Sequence, residues 1–242
     1  MGSGGTQFDD QDVLSVARLN QKTVFIGPST LAPSPTYAGM QWYQTDFNLQ
    51  FVRDAANAVW ELMPCTVKAV TATSAVNAVN AEAAFSSATW TIPANMLTVG
   101  RVIRFTGYGS YASSSTPTNP RWRVRFGGTG GTILLDSGVI TAIASHVNNL
   151  FKVDIMLVVI SVGANGTIEA QGQITFNSAV TNTPPLRDYA LNAAGTMGVT
   201  ANTAVITINT TTQNDMVLTA FFSSTTAGNT LTLRTGTWEM IA

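Results

Sequence analysis

The chain has 242 residues, 45% of them hydrophobic and only 10% charged, with 12 Lys and Arg against 13 Asp and Glu. So apolar and so weakly charged a chain is not a disordered one. Its near-neutral balance implies no general attraction to nucleic acid or to an anionic membrane surface. One cysteine, Cys65, excludes an internal disulfide framework.

The length suits one large β domain plus a small extra unit. No apolar run approaches the roughly 20 residues needed to cross a bilayer, so no membrane insertion is expected. No apolar segment near Met1 has the form of a signal peptide, so no secretory route is expected either.

Residues 1–7 (MGSGGTQ) read as a flexible leader. "FDDQDVLSVARLNQ" then predicts a short helix ending near Asn20. Asp9 caps the first N–H groups, Asp12 adds favourable charge in the first turn, and Phe8 with Val13 form a hydrophobic staple. Val13, Leu14 and Ala17 give the apolar face of a helix too short to stand alone, which therefore docks on something. Pro28, Pro33 and Pro35 in "TVFIGPSTLAPSPTYAG" favour an extended, polyproline-like strap. "GMQWYQTDFNLQFVRDAANAVWEL", Gly39 to Leu62, reads as a three-stranded β-meander with aromatic rungs Trp42, Tyr43, Phe51 and Trp60 as its core. Thr45 to Asn48 and Ala55 to Ala58 supply its turns.

From Thr66 the texture becomes rich in Val, Thr and Ala, followed by apolar runs bounded by Gly, Asn, Ser and Pro. They predict about seven to nine strands. "RWRVRF" alternates strictly, with Trp122, Val124 and Phe126 on one face and Arg121, Arg123 and Arg125 on the other. Asn165-Gly166 marks a hairpin, and Gly127 to Gly131 reads as another hairpin tip. The "VTATSAVNAVNAEAAF" run holds too many Thr, Val and Asn for a helix. The expected fold is all-β: an N-terminal helix and extended strap, a small three-stranded meander, then a jelly-roll-like antiparallel β-sandwich. The expected domains are residues 1–64 and residues 65–242.

Candidate chemistry is sparse. His146 is the sole histidine, Ser145 stands beside it, and no G-x-S-x-G elbow exists. One histidine and one cysteine far apart do not make a zinc site within a single chain. Asp9, Asp10 and Asp12 lack the rest of a calcium loop and serve as helix caps. Asp136, Asp154, Glu169, Asp188 and Asp215 lie in different β segments and read as solvent-facing or turn residues, not as an acid pair for glycoside hydrolysis. The glycine run has no Lys-Ser/Thr and no following helix, so it is no P-loop. Arg101, Arg104, Arg121, Arg123 and Arg125 form the basic cluster. Arg121, Arg123 and Arg125 are candidate contacts to phosphates, acidic sugars or a neighbouring subunit's carboxylates, or they face water. Trp42 and Trp60 offer faces on which a sugar stacks, or they are needed as core. No catalytic residue, metal ligand or cofactor is expected, and the chain does not read as an enzyme.

Three stretches resemble building blocks of bacteriophage virion proteins. "FDDQDVLSVARLN" is similar to the "F-x-x-G-x-V-L-T-A-x-x-L-N" opening of phage fibre proteins. Phe8, Val13, Leu14 and Leu19 match, Gln11 stands for the glycine and Ser15-Val16 for Thr-Ala. The meander resembles "G-x-x-Y-x-x-T-D-x-x-x-L-x-V-x-x-G-x-x-W" at Gly39, Tyr43, Thr45-Asp46 and Trp60. The glycine before its last strand is replaced, and Asn57 is the nearest turn-former. "WTIPANMLTVGRVIRF" resembles the "x-I-P-A-N-x-L-x-x-G-x-x-L-R" stretch of jelly-roll domains in phage tail and head fibres, at Ile92 to Asn95, Leu97 and Gly100. The resemblance implies a non-enzymatic virion structural protein, a tail or head fibre or spike subunit, and a homotrimer. Residues 1–64, with Phe8, Asp9, Val13, Leu14 and Leu19 foremost, would attach it to other virion proteins of head or tail. The sandwich would project outwards. Host attachment through a host-surface glycan is the alternative role on a tail fibre, and capsid decoration a further one.

Overall fold

A computed structural model describes residues 24–28, 30, 32–34, 36, 38–45, 49–53, 55–58, 60–77, 80–140, 144–145, 147, 149–177, 186–191 and 205–241. For residues 49, 61–62, 176–177 and 186–191 it describes the backbone only. The expected helix over residues 8–20, its anchoring residues Phe8, Asp9, Val13, Leu14 and Leu19, and His146 all lie outside these residues. The chain divides into two compact units, Met1–Cys65 and Thr66–Ala242.

Among its described residues the first unit is a single sheet of four strands in the order β1 (Val24–Gly27), β2 (Gln41–Gln44), β3 (Leu49–Arg53) and β4 (Trp60–Leu62). The meander β2-β3-β4 is antiparallel, as its sequence predicts. The stretch read as the start of a strap is instead a fourth strand, paired parallel to β2 with Phe25 beside Trp42. Val24, Phe25 and Ile26 are β-branched or aromatic and suit a pleated surface. Pro28 has no N–H to give a ladder and ends the strand. Residues 28–40 are long enough for the crossover a parallel pair requires.

Alternation splits the rungs. Trp42 and Phe51 are buried on one face, with ring centroids 6.0 Å apart, and Trp60 packs at 5.5 Å from Trp42. The Arg53 guanidinium lies 5.4 Å from the Trp60 ring. Tyr43, expected with them, points to the opposite face and is half-buried. Asn57 takes φ 55°, the left-handed conformation that glycine would adopt there. Its amide donates to the Thr36 carbonyl (3.0 Å) and its Oδ1 accepts from Arg53 Nε (3.0 Å). The asparagine therefore does the work of the missing glycine.

The second unit is a β-sandwich. Among the described residues its only helical piece is the 3-10 turn Ser86–Ala88. Its strands are β5 (Cys65–Ala69), β6 (Ser74–Asn77), β7 (Ala83–Ala84), β8 (Trp90–Ile92), β9 (Val102–Ala112), β10 (Pro120–Phe126), β11 (Thr132–Asp136), β12 (Asn149–Ser161), β13 (Gly166–Asn177), β14 (Leu186–Leu191), β15 (Ile206–Ile208), β16 (Asn214–Phe222) and β17 (Thr230–Met240). The larger sheet runs β14-β13-β12-β9-β17-β5, with β15 on β13 and β6 on β17; the smaller runs β11-β10-β16-β7, with β8 on β16.

The pairings are nested. The outermost strands β5 and β6 meet β17, β7 and β8 meet β16, β9 meets β12, and β10 meets β11. Both expected hairpin tips are present: Gly127 and Gly128 turn β10 into β11 with φ of 97° and 76°, and residues 162–165 turn β12 into β13.

The inner faces of the two sheets interlock through large rings. Trp122 on β10 meets Phe151 on β12 edge-on at 5.8 Å, and Trp90 on β8 lies 6.2 Å from Trp238 on β17. The Trp238 indole N–H donates to the Ala88 carbonyl at 2.7 Å, so its burial leaves no orphan donor. β9 accommodates these rings with glycine. A Cβ on Gly109 would stand 2.3 Å from the Phe151 ring and 2.3 Å from the Thr232 carbonyl oxygen.

Candidate functional site

The sandwich has two outer faces, and they differ. On the smaller sheet, β10 places Arg121, Arg123 and Arg125 outward while Trp122, Val124 and Phe126 enter the core. Asp136, at the end of β11 opposite Arg123, accepts from Arg121 Nε and Nη2 (both 2.6 Å), from Arg123 Nε (2.7 Å) and from the Gly138 amide (2.8 Å). Glu82, just before β7, accepts from Arg123 Nη1 (2.7 Å), from Arg125 Nε (2.5 Å) and Nη2 (2.7 Å), and from the Thr219 hydroxyl (2.5 Å). The Phe221 ring lies 5.0 Å from the Arg123 guanidinium carbon and 5.8 Å from that of Arg121. The result is a continuous ladder, Arg121–Asp136–Arg123–Glu82–Arg125, closed within one chain.

Asp136 was expected to be solvent-facing or in a turn. Its side chain is only 3% exposed, because two guanidinium groups and the turn to Gly138 cover it. Glu82 was missed entirely. Its only mark in the sequence is that it is the lone carboxylate of an alanine-rich run.

The electrostatics follow from the geometry. Burial pushes the Glu82 carboxyl up, but hydrogen bonds from Arg125, Thr219 and Arg123 outweigh it and hold it at about 2, below the ordinary 4.5. Burial likewise opposes ionisation of Asp136, and the bonds from Arg121, Arg123 and Gly138 again prevail and lower it. Both carboxylates are therefore ionised at neutral pH. Neither holds the proton that a general acid in glycoside hydrolysis must deliver.

On the larger sheet the described residues of the outer face form no such ladder. β12 presents Leu150, Lys152, Asp154, Met156, Val158 and Ile160 outward, and β9 presents Val102, Arg104, Thr106 and Tyr108. In register, Lys152 lies beside Tyr108, Asp154 beside Thr106 and Met156 beside Arg104. Asp154 pairs with Lys152, accepts from the Thr106 hydroxyl (3.0 Å) and lies 4.0 Å from Arg104 Nη2. The hydrogen bond that Lys152 donates to Asp154 raises the lysine above its ordinary value. A depression of about 470 Å³ on this face is lined by Arg104, Asp154, Met156, Gln171 and Gln173, together with Ile155 and Gly172.

Among the described residues no group of three His, Cys, Asp or Glu side chains is placed to hold a metal ion. No helix there is long and apolar enough to cross a membrane. Of the sequence-predicted candidates, Arg121, Arg123 and Arg125 come together with carboxylates of their own chain. Trp42, Phe51 and Trp60 come together on one face of the first unit, and Tyr43 does not join them. Asp154 and Glu169 lie on neighbouring strands of the larger sheet, and Asp215 accepts from the Thr91 hydroxyl at 2.7 Å.

No protein-family model matches the chain, and no curated protein matches it. Among solved structures it is similar to a chain from the structure of infectious bursal disease virus, Gx strain. The two are 10% identical, with a TM-score of 0.21, over 76% of this chain and 45% of that one. The chain thus spans less than half the length of that match. So loose a superposition carries no argument about fold or function.

Proposed function

We propose that this chain is a non-enzymatic structural subunit of a virus particle, of the phage fibre or spike type. Residues 1–64 attach it to other virion proteins, and residues 65–242 form a projecting jelly-roll domain in a homotrimer. The observation that carries this reading is the joint placement of the phage-like stretches. The strands β2, β3 and β4 of the Gly39 to Leu62 stretch share one sheet with β1 inside the first unit. The Ile92-Pro93-Ala94-Asn95 stretch leads from β8 towards β9, inside a sandwich whose strands pair in nested order. A ribbon of eight strands folded back so that first meets last, second meets seventh, third meets sixth and fourth meets fifth is the jelly-roll connection. β5/β6, β7/β8, β9, β10, β11, β12, β16 and β17 supply that pattern, and β13 to β15 widen one sheet.

The ladder on the smaller sheet supports a structural rather than a catalytic reading, since its charges are consumed in holding strands together. The test is immunogold labelling of intact particles with an antibody to residues 65–242, with a chain lacking residues 1–38 alongside. Label on particles is expected, at the tail for host attachment or over the capsid for a head fibre. The truncated chain is expected to stay soluble and lose its place on the particle. Unlabelled particles, or normal incorporation of the truncation, would overturn the reading.

A further inference from the structure

We infer that the outer face of the larger sheet, formed by β13, β12, β9 and β17, is the surface through which copies of this chain associate. The number three rests on the reading above; the face itself does not.

The two outer faces are the starting point. The smaller sheet closes its outer face with an internal ion ladder and an aromatic ring beneath it, which suits a surface left in water. The larger sheet exposes big apolar side chains instead: Leu150 is 70% exposed, Tyr108 49%, Met156 48% and Ile160 43%. Single exposed apolar residues are ordinary. Here they stand on one face of two adjacent strands in two groups, Leu150 and Tyr108 at one end and Met156 and Ile160 with the half-buried pair Val102 and Val158 at the other, and the charged Lys152 and Asp154 lie between the groups. Apolar side chains gathered on one face in this way mark an interaction site. The rest of the face is polar, with Thr106, Thr235 and Thr237 on one side and Gln171, Gln173 and Thr175 on the other, and it also carries charged side chains.

The occupant is argued from charge and area. The face carries both signs in adjoining rows: Glu239 lies beside Arg104, and Lys152 and Asp154 follow each other along β12. A surface bearing both signs offers complementary partners to another copy of itself, whereas an acidic or basic partner would meet repulsion from half of them. The area is adequate. Four strands spaced about 4.8 Å apart, each about 11 residues long at about 3.3 Å per residue, cover about 700 Å². A standard-size interface takes about 800 Å² from each partner.

The experiment is multi-angle light scattering on the full chain, wild type and three variants. Leu150→Glu and Met156→Glu each place a carboxylate on the patch without touching the core. Val139→Glu places one at another exposed apolar position, 48% exposed and off this face. Circular dichroism melts check that each variant folds. Wild type and Val139→Glu are expected at about three times the chain mass, and both face variants at the mass of one chain with unchanged spectra. Any multimer that the face variants dissolve supports the face. A multimer that survives both substitutions overturns the inference, and so does a monomeric wild type. A monomer whose depression between Arg104 and Gln173 binds added oligosaccharide assigns the face to that ligand instead. None of these outcomes depends on particles, so a failure here is separable from a failure of the virion assignment.

Discussion

Asp136→Asn tests the ladder most directly. The substitution keeps the side chain's size and removes its charge, so it creates no cavity and the loss is electrostatic. Asp136 accepts three charged hydrogen bonds and one from a backbone amide, all at 2.6 to 2.8 Å, and is 3% exposed. Breaking a buried ion pair from one side costs about 3–5 kcal/mol, because the partner charge is left desolvated. Arg121 and Arg123 are 24% and 17% exposed, and Arg123 keeps Glu82, so the low end applies, about 3 kcal/mol. With a urea dependence of about 2 kcal/mol per molar, the unfolding midpoint of the sandwich should fall by about 1.5 M. Replacing Arg121 by Met in the same chain should recover part of that loss, since it removes the guanidinium that Asp136→Asn leaves without its carboxylate and keeps the Arg123–Glu82 pair. A drop of less than about 0.3 M for Asp136→Asn would refute the reasoning. That would make the ladder worth no more than exposed surface pairs, whose value is at most about 1 kcal/mol.

The same carboxylates set a pH dependence. A carboxyl held lower in the folded state contributes stability that is complete above its unfolded value and is lost as pH falls through its folded value. For Glu82 the window runs from 4.5 down to about 2. Urea midpoints should therefore be flat from neutral pH to about 5 and decline below it, and Glu82→Gln should flatten that decline. Gly109→Ala should destabilise the sandwich by about 1–3 kcal/mol in the same assay. The added carbon meets both the Phe151 ring and the Thr232 carbonyl, and the latter is backbone that cannot turn aside.

Much of the architecture was readable along the chain. Strict alternation in Arg121 to Phe126 determined which three side chains enter the core, because successive residues of a strand point to opposite faces. The glycines at residues 127–131 and the Asn165-Gly166 pair announced turns, because few residues accept the backbone angles a tight turn requires. The aromatic rungs Trp42, Phe51 and Trp60 announced a small sheet. Tyr43 was misplaced with them only because a list of aromatics ignores parity. The strand Val24–Gly27 was hidden by the prolines that follow it. Its partner is parallel and lies beyond a crossover, where no local pairing signal exists.

By itself the sequence determined a β-rich chain, the sidedness of its strands and the sites of its turns, since these depend on periods of two and on single-residue conformational preferences. Partners were decided only by tertiary structure. Glu82 reaches Thr219 across 137 positions and Arg125 across 43, and Asp136 is drawn under two arginines by the register of a hairpin. Nothing local distinguishes a carboxylate that will be buried in such a ladder from one that will face water. The two outer faces show the same limit. Alternation says that Leu150, Met156 and Arg123 all point away from the core, but only the stacking of the sheets decides which outward face is closed by its own charges and which stays open.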